Sequence, residues 1–144
     1  MIKKNYHTHT VRCQHAVGTE REYIEAAIAA GITTLGFSDH VPLPYPAPLV
    51  SGIRMRMDEI CDYVDTLLAL RQEYAGQIEI LIGFEAEYAP LYFDRLLDAL
   101  SEYPIDYLIQ GQHFIPDEFD GFYSGTPTDS EQDLIDYVRL TVQG

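Results

Sequence analysis

The stretch from Ile78 to Phe84 reads Ile-Glu-Ile-Leu-Ile-Gly-Phe, and a glutamate, Glu85, follows it directly. A nearly unbroken apolar run is typical of a strand that is buried on both faces, as the strands of parallel sheets are. Ligands of parallel α/β folds bind beyond the carboxyl ends of the strands. The stretch therefore predicts a central parallel strand that carries a carboxylate to the functional edge of a sheet.

The same succession of an apolar strand, a polar turn and a helical segment occurs four times along the chain. The predicted strands span Ile2–Thr8, Thr33–Ser38, Ile78–Phe84 and Asp106–Gln110. The predicted helices begin at the Thr19–Glu22 capping box, at Asp58 as N-cap, at Pro90 as first position and near Asp129, and they end near Gly31, Gly76, Tyr103 and Gln143. Alternating strands and helices predict an α/β fold with parallel strands.

Length and composition bound the architecture. The chain has 144 residues, of which 47% are hydrophobic and 22% charged, values typical of a single globular domain over 1–144. A closed (β/α) barrel usually needs about 250 residues, so the repeated units predict about half of such a barrel. An open half-barrel exposes an unpaired edge and apolar surface. We therefore expect the chain to form a homodimer or to be a fragment of a longer protein.

Charge and cysteine content exclude several classes of partner. Asp and Glu number 23 against 9 Lys and Arg, which gives a net charge of −14 at pH 7. Such a chain repels the phosphate backbone of nucleic acids. It contains no apolar run of membrane-spanning length, no secretory leader and no disulfide framework, since its only cysteines are Cys13 and Cys61. We expect a cytoplasmic protein that binds neither nucleic acid nor membranes.

All five histidines lie at or just beyond the end of a predicted strand, namely His7, His9, His15, His40 and His113. In His7-Thr8-His9 the imidazoles are two residues apart, so on a strand they point to the same face and can bind one metal ion. Glu85 adds a carboxylate at the end of the third strand. An acidic chain also needs bound cations to receive an anionic substrate. The pattern predicts that these six side chains form a metal site.

Several neighbouring polar residues have two interpretations. Asp39 is expected to orient a ligand imidazole rather than to bind metal itself. Cys13 is interpreted as an ordinary loop cysteine, with zinc ligation as the alternative. Glu87 is interpreted as a solvated loop residue. The alternative is that it lies on the same face as Glu85. Arg54 and Arg56 either clamp a phosphate by bidentate hydrogen bonds or solvate a surface turn.

Short motifs occur in order along nearly the whole chain: His7-Thr8-His9-Thr10, His15, Gly36-Phe37-Ser38-Asp39-His40 with Pro42-Leu43-Pro44, Gly83-Phe84-Glu85, and Gly111-Gln112-His113-Phe114. Together they resemble the polymerase-and-histidinol-phosphatase (PHP) superfamily, and within it the histidinol-phosphate phosphatase branch. The resemblance implies a distorted (β/α)7 barrel of PHP type, of which this chain holds the N-terminal part. It also implies up to three divalent metal ions, either zinc, iron or manganese, and hydrolysis of phosphate esters.

The resemblance also implies roles for individual residues. The ligands of the three ions would be His7 with His9, Glu85 with His113, and His15 with His40. Glu85 would bridge the first two ions, and Asp39 and Glu85 are the candidate catalytic residues. Arg54 and Arg56 are the candidates for binding the substrate phosphate. The family's C-terminal strands and ligands would lie beyond Gly144, so we expect each ion to lack one protein ligand here.

The resemblance implies a metal-dependent phosphatase that acts on a small phosphate monoester. The preferred substrate is histidinol phosphate, which is converted to histidinol and phosphate in histidine biosynthesis. Two other classes stay open. An amidohydrolase-type metal hydrolase also begins with a His-x-His pair, but it commonly bridges its metals with a carboxylated lysine, and this chain has lysine only at Lys3 and Lys4. The other class is a non-catalytic metal-binding or interaction half-barrel. Metal content and turnover of a phosphate ester together separate these possibilities.

Overall fold

The architecture alternates strands and helices, as a computed structural model describing residues 3–144 shows. The strands are β1 (Lys4–Asn5), β2 (Thr34–Phe37), β3 (Glu79–Ala86), β4 (Tyr107–Gln110), β5 (Phe114–Ile115) and β6 (Phe122–Tyr123). The α-helices are α1 (Glu20–Ala29), α2 (Ile60–Glu73), α3 (Phe93–Leu100) and α4 (Glu131–Gln143). Short 3-10 helices span Val11–Cys13 and Met57–Glu59. Of the first predicted strand, Ile2 lies outside the described residues.

Strands β1 to β4 form one sheet in the order of the sequence, and every neighbouring pair is parallel. In the register, Thr34 of β2 pairs with Lys4 of β1 on one side and with Glu79 of β3 on the other. The predicted α/β fold with parallel strands is confirmed. Because all four strands run in the same direction, their carboxyl ends meet at one edge of the sheet.

The hydrophobic core surrounds the central strand β3. Ile80, Ile82 and Phe84 are each at most 2% exposed. From α2, Tyr63 packs against the ring of Phe84 with 4.9 Å between the ring centroids. The Tyr63 hydroxyl donates a hydrogen bond of 2.9 Å to the carbonyl of Gly83. These contacts hold the end of β3 in a fixed position, which matters because Glu85 lies there.

Helix α2 begins differently from the prediction that Asp58 is its N-cap. Asp58 lies inside the 3-10 helix Met57–Glu59, and the α-helix starts only at Ile60. The backbone N–H of Arg56 donates to the Glu59 carboxylate over 2.6 Å, so the side chain that closes this turn is a glutamate reaching backwards. The prediction was wrong because Asp58 instead pairs with the neighbouring Arg56 side chain.

Helices α3 and α4 also begin later than predicted. Pro90 lies in a turn, and α3 starts at Phe93 rather than at the proline. In α4 the N-cap is Ser130, whose hydroxyl accepts a hydrogen bond of 3.2 Å from the backbone N–H of Asp133. The first helical residue is Glu131, so the predicted start near Asp129 was early by two residues.

A small antiparallel hairpin, β5–β6, lies between β4 and α4 and was not predicted. Phe114 pairs with Tyr123 and Ile115 with Phe122. Strands of two residues are too short to show the alternation from which strands are recognised in a sequence. The hairpin matters for function because it places Phe114 and Tyr123 beside the predicted ligands.

Candidate metal centre

The carboxyl ends of the four parallel strands carry the predicted ligands to one edge of the sheet. His7 and His9 lie in an extended segment just after β1, and His40 follows β2. Glu85 lies within β3 and His113 follows β4. His40 and Glu85 also form a parallel bridge that prolongs the pairing of β2 with β3. The sheet itself therefore fixes the spacing of these side chains.

The Glu85 carboxylate is the centre of the cluster. Its Oε2 atom lies 3.1 Å from Nδ1 of His40, 3.2 Å from Nε2 of His9 and 3.4 Å from Nε2 of His7. Its Oε1 atom lies 3.1 Å from Nε2 of His113. One carboxylate thus contacts imidazoles that come from three other strand ends.

His15, which follows the 3-10 helix Val11–Cys13, completes the cluster. Its ring centroid lies 5.4 Å from that of His9 and 5.0 Å from that of His40. Ligand atoms lie within 4.8 Å of one another in three groups of this cluster: His7, His9 and Glu85; His9, His15 and His40; and His40, Glu85 and His113. The structure therefore brings all six sequence-predicted residues into one cleft, whose walls also include Ile53, Phe114 and Tyr123.

The charge state of the cluster follows from burial and hydrogen bonding. Burial alone would raise the pKa of Glu85, but the imidazoles of His113, His40 and His9 beside the carboxylate outweigh it and hold that pKa well below its ordinary range. Burial lowers the pKa of His40, whereas the hydrogen bond to Glu85 raises the pKa of His113. The structure thus favours an ionised carboxylate beside a neutral His40.

Two buried atoms of the cluster indicate that its natural partner is a cation. Within residues 3–144, Nδ1 of His40 and Oε2 of Glu85 are buried without a hydrogen-bond partner, although they lie only 3.1 Å apart. A buried polar atom left unpaired costs about 1–3 kcal/mol. Imidazole nitrogens and carboxylate oxygens are common ligands of zinc and of other transition metals. The donor set therefore fits a divalent metal ion.

Gly111 allows the Glu85 side chain to take its place. A Cβ atom at position 111 would collide with the carboxylate of Glu85. The Gly111 N–H donates a hydrogen bond of 2.9 Å to the carbonyl of Ala86, which fixes this backbone against β3. A larger residue at this position would displace the central ligand of the cluster.

Asp39 lies behind the cluster and is fully buried. One oxygen accepts hydrogen bonds from the backbone N–H of Thr10 (2.6 Å) and from the Cys13 thiol (2.9 Å), and the other accepts from the Thr10 hydroxyl (2.8 Å). Cys13 in turn lies 3.3 Å from Nδ1 of His9 and accepts the backbone N–H of His40. Burial and the neighbouring carboxylate raise the pKa of the Cys13 thiol above its ordinary range. Asp39 thus contacts Thr10 and Cys13, and its expected orienting role towards the histidines stays a prediction.

Glu87 is not a solvated loop residue, so that interpretation was wrong. It is 2% exposed, and one carboxylate oxygen accepts the backbone N–H groups of His113, over 2.7 Å, and of Phe114. The other oxygen pairs with the guanidinium of Arg54. Glu87 therefore anchors the segment that carries His113, and no sequence signal identified this role.

The two arginines lie outside the cleft, in different environments. Arg54 is buried at 1% exposure, where it pairs with Glu87 and with Glu118, the latter over 3.2 Å, and donates to the Val41 carbonyl. Arg56 is exposed and pairs with Asp58 over 2.7 Å. Neither side chain lines the cleft formed by the histidines. The structure thus gives Arg54 a buried ion pairing and Arg56 a surface ion pairing, and binding of a phosphate by either stays a prediction.

An open parallel α/β sheet with a histidine and carboxylate cluster at its carboxyl edge defines a class of metal-binding half-barrels. The model of the PHP domain family matches residues 5–142. The chain therefore belongs to the PHP family, as the resemblance implied.

Curated relatives match much of this chain at moderate identity. A probable histidinol-phosphatase of Deinococcus radiodurans is 37% identical over 111 residues, which are 76% of this chain and 41% of the relative. The histidinol-phosphatase of Bacillus subtilis is 32% identical over 123 residues, 80% of this chain and 45% of the relative. The chain thus spans less than half the length of these relatives.

Solved structures show the same fold. A putative histidinol phosphatase of Listeria monocytogenes superposes with a TM-score of 0.68 at 28% identity, covering 94% of this chain and 52% of the other. The histidinol phosphate phosphatase of Lactococcus lactis, solved with zinc, L-histidinol and phosphate, gives a TM-score of 0.63 at 22% identity, covering 77% of this chain and 40% of the other. The four parallel strands are therefore part of a PHP-type (β/α) barrel. Within the described residues, no helix combines the length and apolar character that crossing a membrane requires.

Proposed function

We propose that this chain binds divalent metal ions at the cluster around Glu85 and serves the hydrolysis of a small phosphate monoester. The observation that carries the proposal is the Glu85 carboxylate, whose two oxygens lie 3.1–3.4 Å from four imidazoles while one of them has no hydrogen-bond partner within the described residues. A carboxylate with one oxygen towards each of two ligand groups is suited to bridge two ions. The proposal makes Glu85 the central ligand.

The other ligands divide between the two sides of this carboxylate. His7 and His9 would hold an ion with Oε2 of Glu85, and His113 would hold an ion with Oε1. His15 and His40 would hold a third ion. The zinc of the Lactococcus lactis structure supports zinc as one metal that this ligand set accepts, and iron and manganese also suit it.

Bound divalent ions supply two things to phosphate ester hydrolysis: they neutralise the phosphoryl oxygens and they lower the pKa of a water molecule to about 7. The residues of this chain prepare the cleft for that chemistry. The lowered pKa of Glu85 keeps its carboxylate ionised, and the lowered pKa of His40 keeps its imidazole neutral, so both offer lone pairs. Ile53 and Phe114 add apolar side chains to the lining of the cleft.

The proposed substrate is histidinol phosphate, with Asp39 as an orienting residue and Glu85 as the residue in contact with the reacting groups. The relatives from Deinococcus radiodurans, Bacillus subtilis and Schizosaccharomyces pombe are all named histidinol-phosphatases, the last at 30% identity. The Lactococcus lactis structure holds histidinol and phosphate. A net charge of −14 makes bound cations necessary for a phosphate ester to approach this cleft.

The test measures metal content and phosphate release together. The purified chain, Glu85→Ala and the control Glu102→Ala are loaded with zinc, and bound metal is measured by elemental analysis before a histidinol phosphate assay. Glu102 is an exposed residue beyond α3. We expect Glu85→Ala to lose most of its bound zinc and Glu102→Ala to bind as much as the original chain.

Equal zinc content in both variants would contradict the role of Glu85. Zinc bound by the unsubstituted chain without any phosphate release would contradict the phosphatase and favour the non-catalytic metal-binding module instead.

A further inference from the structure

Cys13 is a buried thiol in contact with one of the proposed ligands and has no part in the proposed chemistry. We propose that Cys13 is a positioning residue that links the carboxylate of Asp39 to the imidazole of His9, so that His9 keeps its proton on Nδ1 and presents Nε2 to the metal site. The inference deepens the proposed function, on which the metal site rests.

The contacts of the sulfur define this link. Its Sγ atom lies 2.9 Å from Oδ1 of Asp39, 3.0 Å from the backbone nitrogen of His40 and 3.3 Å from Nδ1 of His9. The Cys13 side chain is 0% exposed, so water does not compete for these partners. A buried thiol with three polar neighbours has a defined orientation.

The direction of each hydrogen bond follows from the groups around Asp39. An ionised carboxylate only accepts hydrogen bonds, and it already accepts from the backbone N–H and the hydroxyl of Thr10. The contact between Cys13 and Asp39 therefore requires the thiol to donate the hydrogen bond. The sulfur is then an acceptor, and the backbone N–H of His40 is one of its donors.

The same reasoning fixes the tautomer of His9. Because the S–H of Cys13 is directed at Asp39, the contact between Sγ and Nδ1 of His9 is favourable only when Nδ1 carries a proton. A neutral imidazole that is protonated on Nδ1 has its lone pair on Nε2. That Nε2 atom lies 2.9 Å from Nε2 of His7, whose N–H can donate to it in the metal-free protein, and 3.2 Å from Oε2 of Glu85, within the proposed site.

Ligand atoms of His9, Cys13 and Asp39 lie within 4.8 Å of one another, so it is charge and hydrogen bonding that argue against direct metal ligation by the sulfur. A thiolate ligand would put a second negative charge 2.9 Å from the Asp39 carboxylate, and it would lose the hydrogen bond that the thiol donates. Ligand histidines usually donate their second ring N–H to a carboxylate or a carbonyl. Here a thiol lies between the histidine and the carboxylate and transmits the same preference.

The experiment compares Cys13→Ala, Cys13→Ser and the control Cys61→Ser, which changes an exposed cysteine on α2. The tautomer of His9 is measured by ¹⁵N NMR of the ring nitrogens in the metal-free protein at about pH 8, where free histidine is neutral. Zinc affinity is measured by competition with a chromophoric chelator. A serine hydroxyl can donate and accept as the thiol does, so it serves as the rescue variant.

We expect Cys61→Ser to match the original chain in both measurements. We expect Cys13→Ala to lose the Nδ1–H preference of His9 and to bind zinc about 10–100-fold more weakly, as is typical when the partner of a ligand histidine is removed. Cys13→Ser should keep the tautomer and most of the affinity. Circular dichroism and urea unfolding show which variants are folded. If Cys13→Ala does not fold, the His9 tautomer measured in the original chain still tests the inference.

Three results would overturn the inference: a His9 that carries its proton on Nε2 in the original chain, a folded Cys13→Ala with unchanged tautomer and zinc affinity, or a sulfur-to-metal charge-transfer band in the cobalt-loaded protein that disappears in Cys13→Ser. The last result would make Cys13 a ligand. The NMR measurement is made without metal, so a failure of the proposed phosphatase function leaves its outcome readable.

Discussion

The Glu85 side chain supplies the negative charge at the strand ends, where the histidine imidazoles surround it. Its carboxylate is 4% exposed and lies between imidazoles from β1, β2 and β4. In the metal-free protein the positive charge that balances it has to come from a protonated histidine. His113 fits that role because the hydrogen bond that it donates to Glu85 raises its pKa, whereas burial lowers the pKa of His40. A bound divalent ion would replace that proton.

A pH dependence of stability follows for the metal-free protein. The pKa of His113 in the folded state lies above the ordinary histidine value of about 6.5, so the folded state binds this proton more tightly than the unfolded state. The contribution of His113 is therefore fully present below about pH 6.5 and is lost as the pH rises through the raised value. We expect His113→Asn to be less stable than the original chain at about pH 6 and to differ less at about pH 9.

Urea unfolding in the presence of a chelator, at both pH values, measures these differences. A gap between His113→Asn and the original chain that is the same at both pH values would refute the proposed proton on His113.

At the scale of elements, the segment between β2 and α2 is joined to β3 and to the hairpin through one buried ion-pair network. Arg54 pairs with Glu87 at the end of β3 and with Glu118 before β6, and Ser51 donates to Glu118 over 2.9 Å. Removing one partner of a buried pair leaves an uncompensated charge and typically costs about 3–5 kcal/mol. This network therefore holds the segment between β2 and α2, which contributes Ile53 to the cleft, against β3 and the hairpin.

The two arginines that the sequence singled out as equals should behave very differently. We expect Arg54→Ala to lower the free energy of unfolding by about 3–5 kcal/mol, because Glu87 stays buried and Glu118 half-buried without their cation. Arg56→Ala should leave the urea midpoint near that of the original chain, since exposed pairs contribute little. Equal urea midpoints for the two variants would contradict the network. Retained zinc binding in Arg54→Ala, measured where it is folded, would show that the network supports the fold rather than the ligands.

The elements that could be predicted from the sequence are those whose signals are local or repeated. The capping box of Thr19 and Glu22 predicted the start of α1, and both of its hydrogen bonds are present. The succession of strands predicted a parallel sheet. Asp58 failed as a cap because a tertiary arrangement, in which Glu59 closes the turn and Asp58 pairs with Arg56, replaced the local one.

The candidate site was predictable to the extent that its residues follow strands. Strand-end placement alone identified the histidines and Glu85, because parallel strands deliver their ends to one edge. The pairing of Arg54 with Glu87 was not predictable, since the two residues are 33 positions apart and nothing in the sequence relates them. The sequence predicted an orienting role for Asp39 but not that the Cys13 thiol lies between Asp39 and His9.

At the scale of the whole molecule, the sheet and α4 leave surfaces without a partner. Within the described residues, β1 and β4 each pair with a strand on one side only. The apolar face of α4 is exposed: Leu134 is 57%, Val138 57% and Val142 80% exposed. Contiguous exposed apolar surface usually marks an interaction site. A net charge of −14 opposes the approach of a second copy, and this repulsion is screened by salt.

These opposing effects predict how the 144-residue chain associates. We propose that two copies pair through the apolar faces of α4, as a two-fold contact in which the same residues meet from both sides. The dimer fraction should rise between low salt and about 0.5 M salt, because salt screens the repulsion between the two negatively charged copies. The double substitution Leu134→Glu with Val138→Glu should abolish it by placing like charges on both sides of the contact.

The control is Val17→Glu with Leu91→Glu, which adds the same charge at two exposed apolar residues outside α4. Sedimentation velocity at micromolar concentration distinguishes the monomer from the dimer for all three chains. We expect the control to associate as the original chain does, because its added charges lie away from the contact. A monomeric original chain at every salt concentration, or equal loss of association in both double variants, would show that α4 is not the surface through which the chain associates.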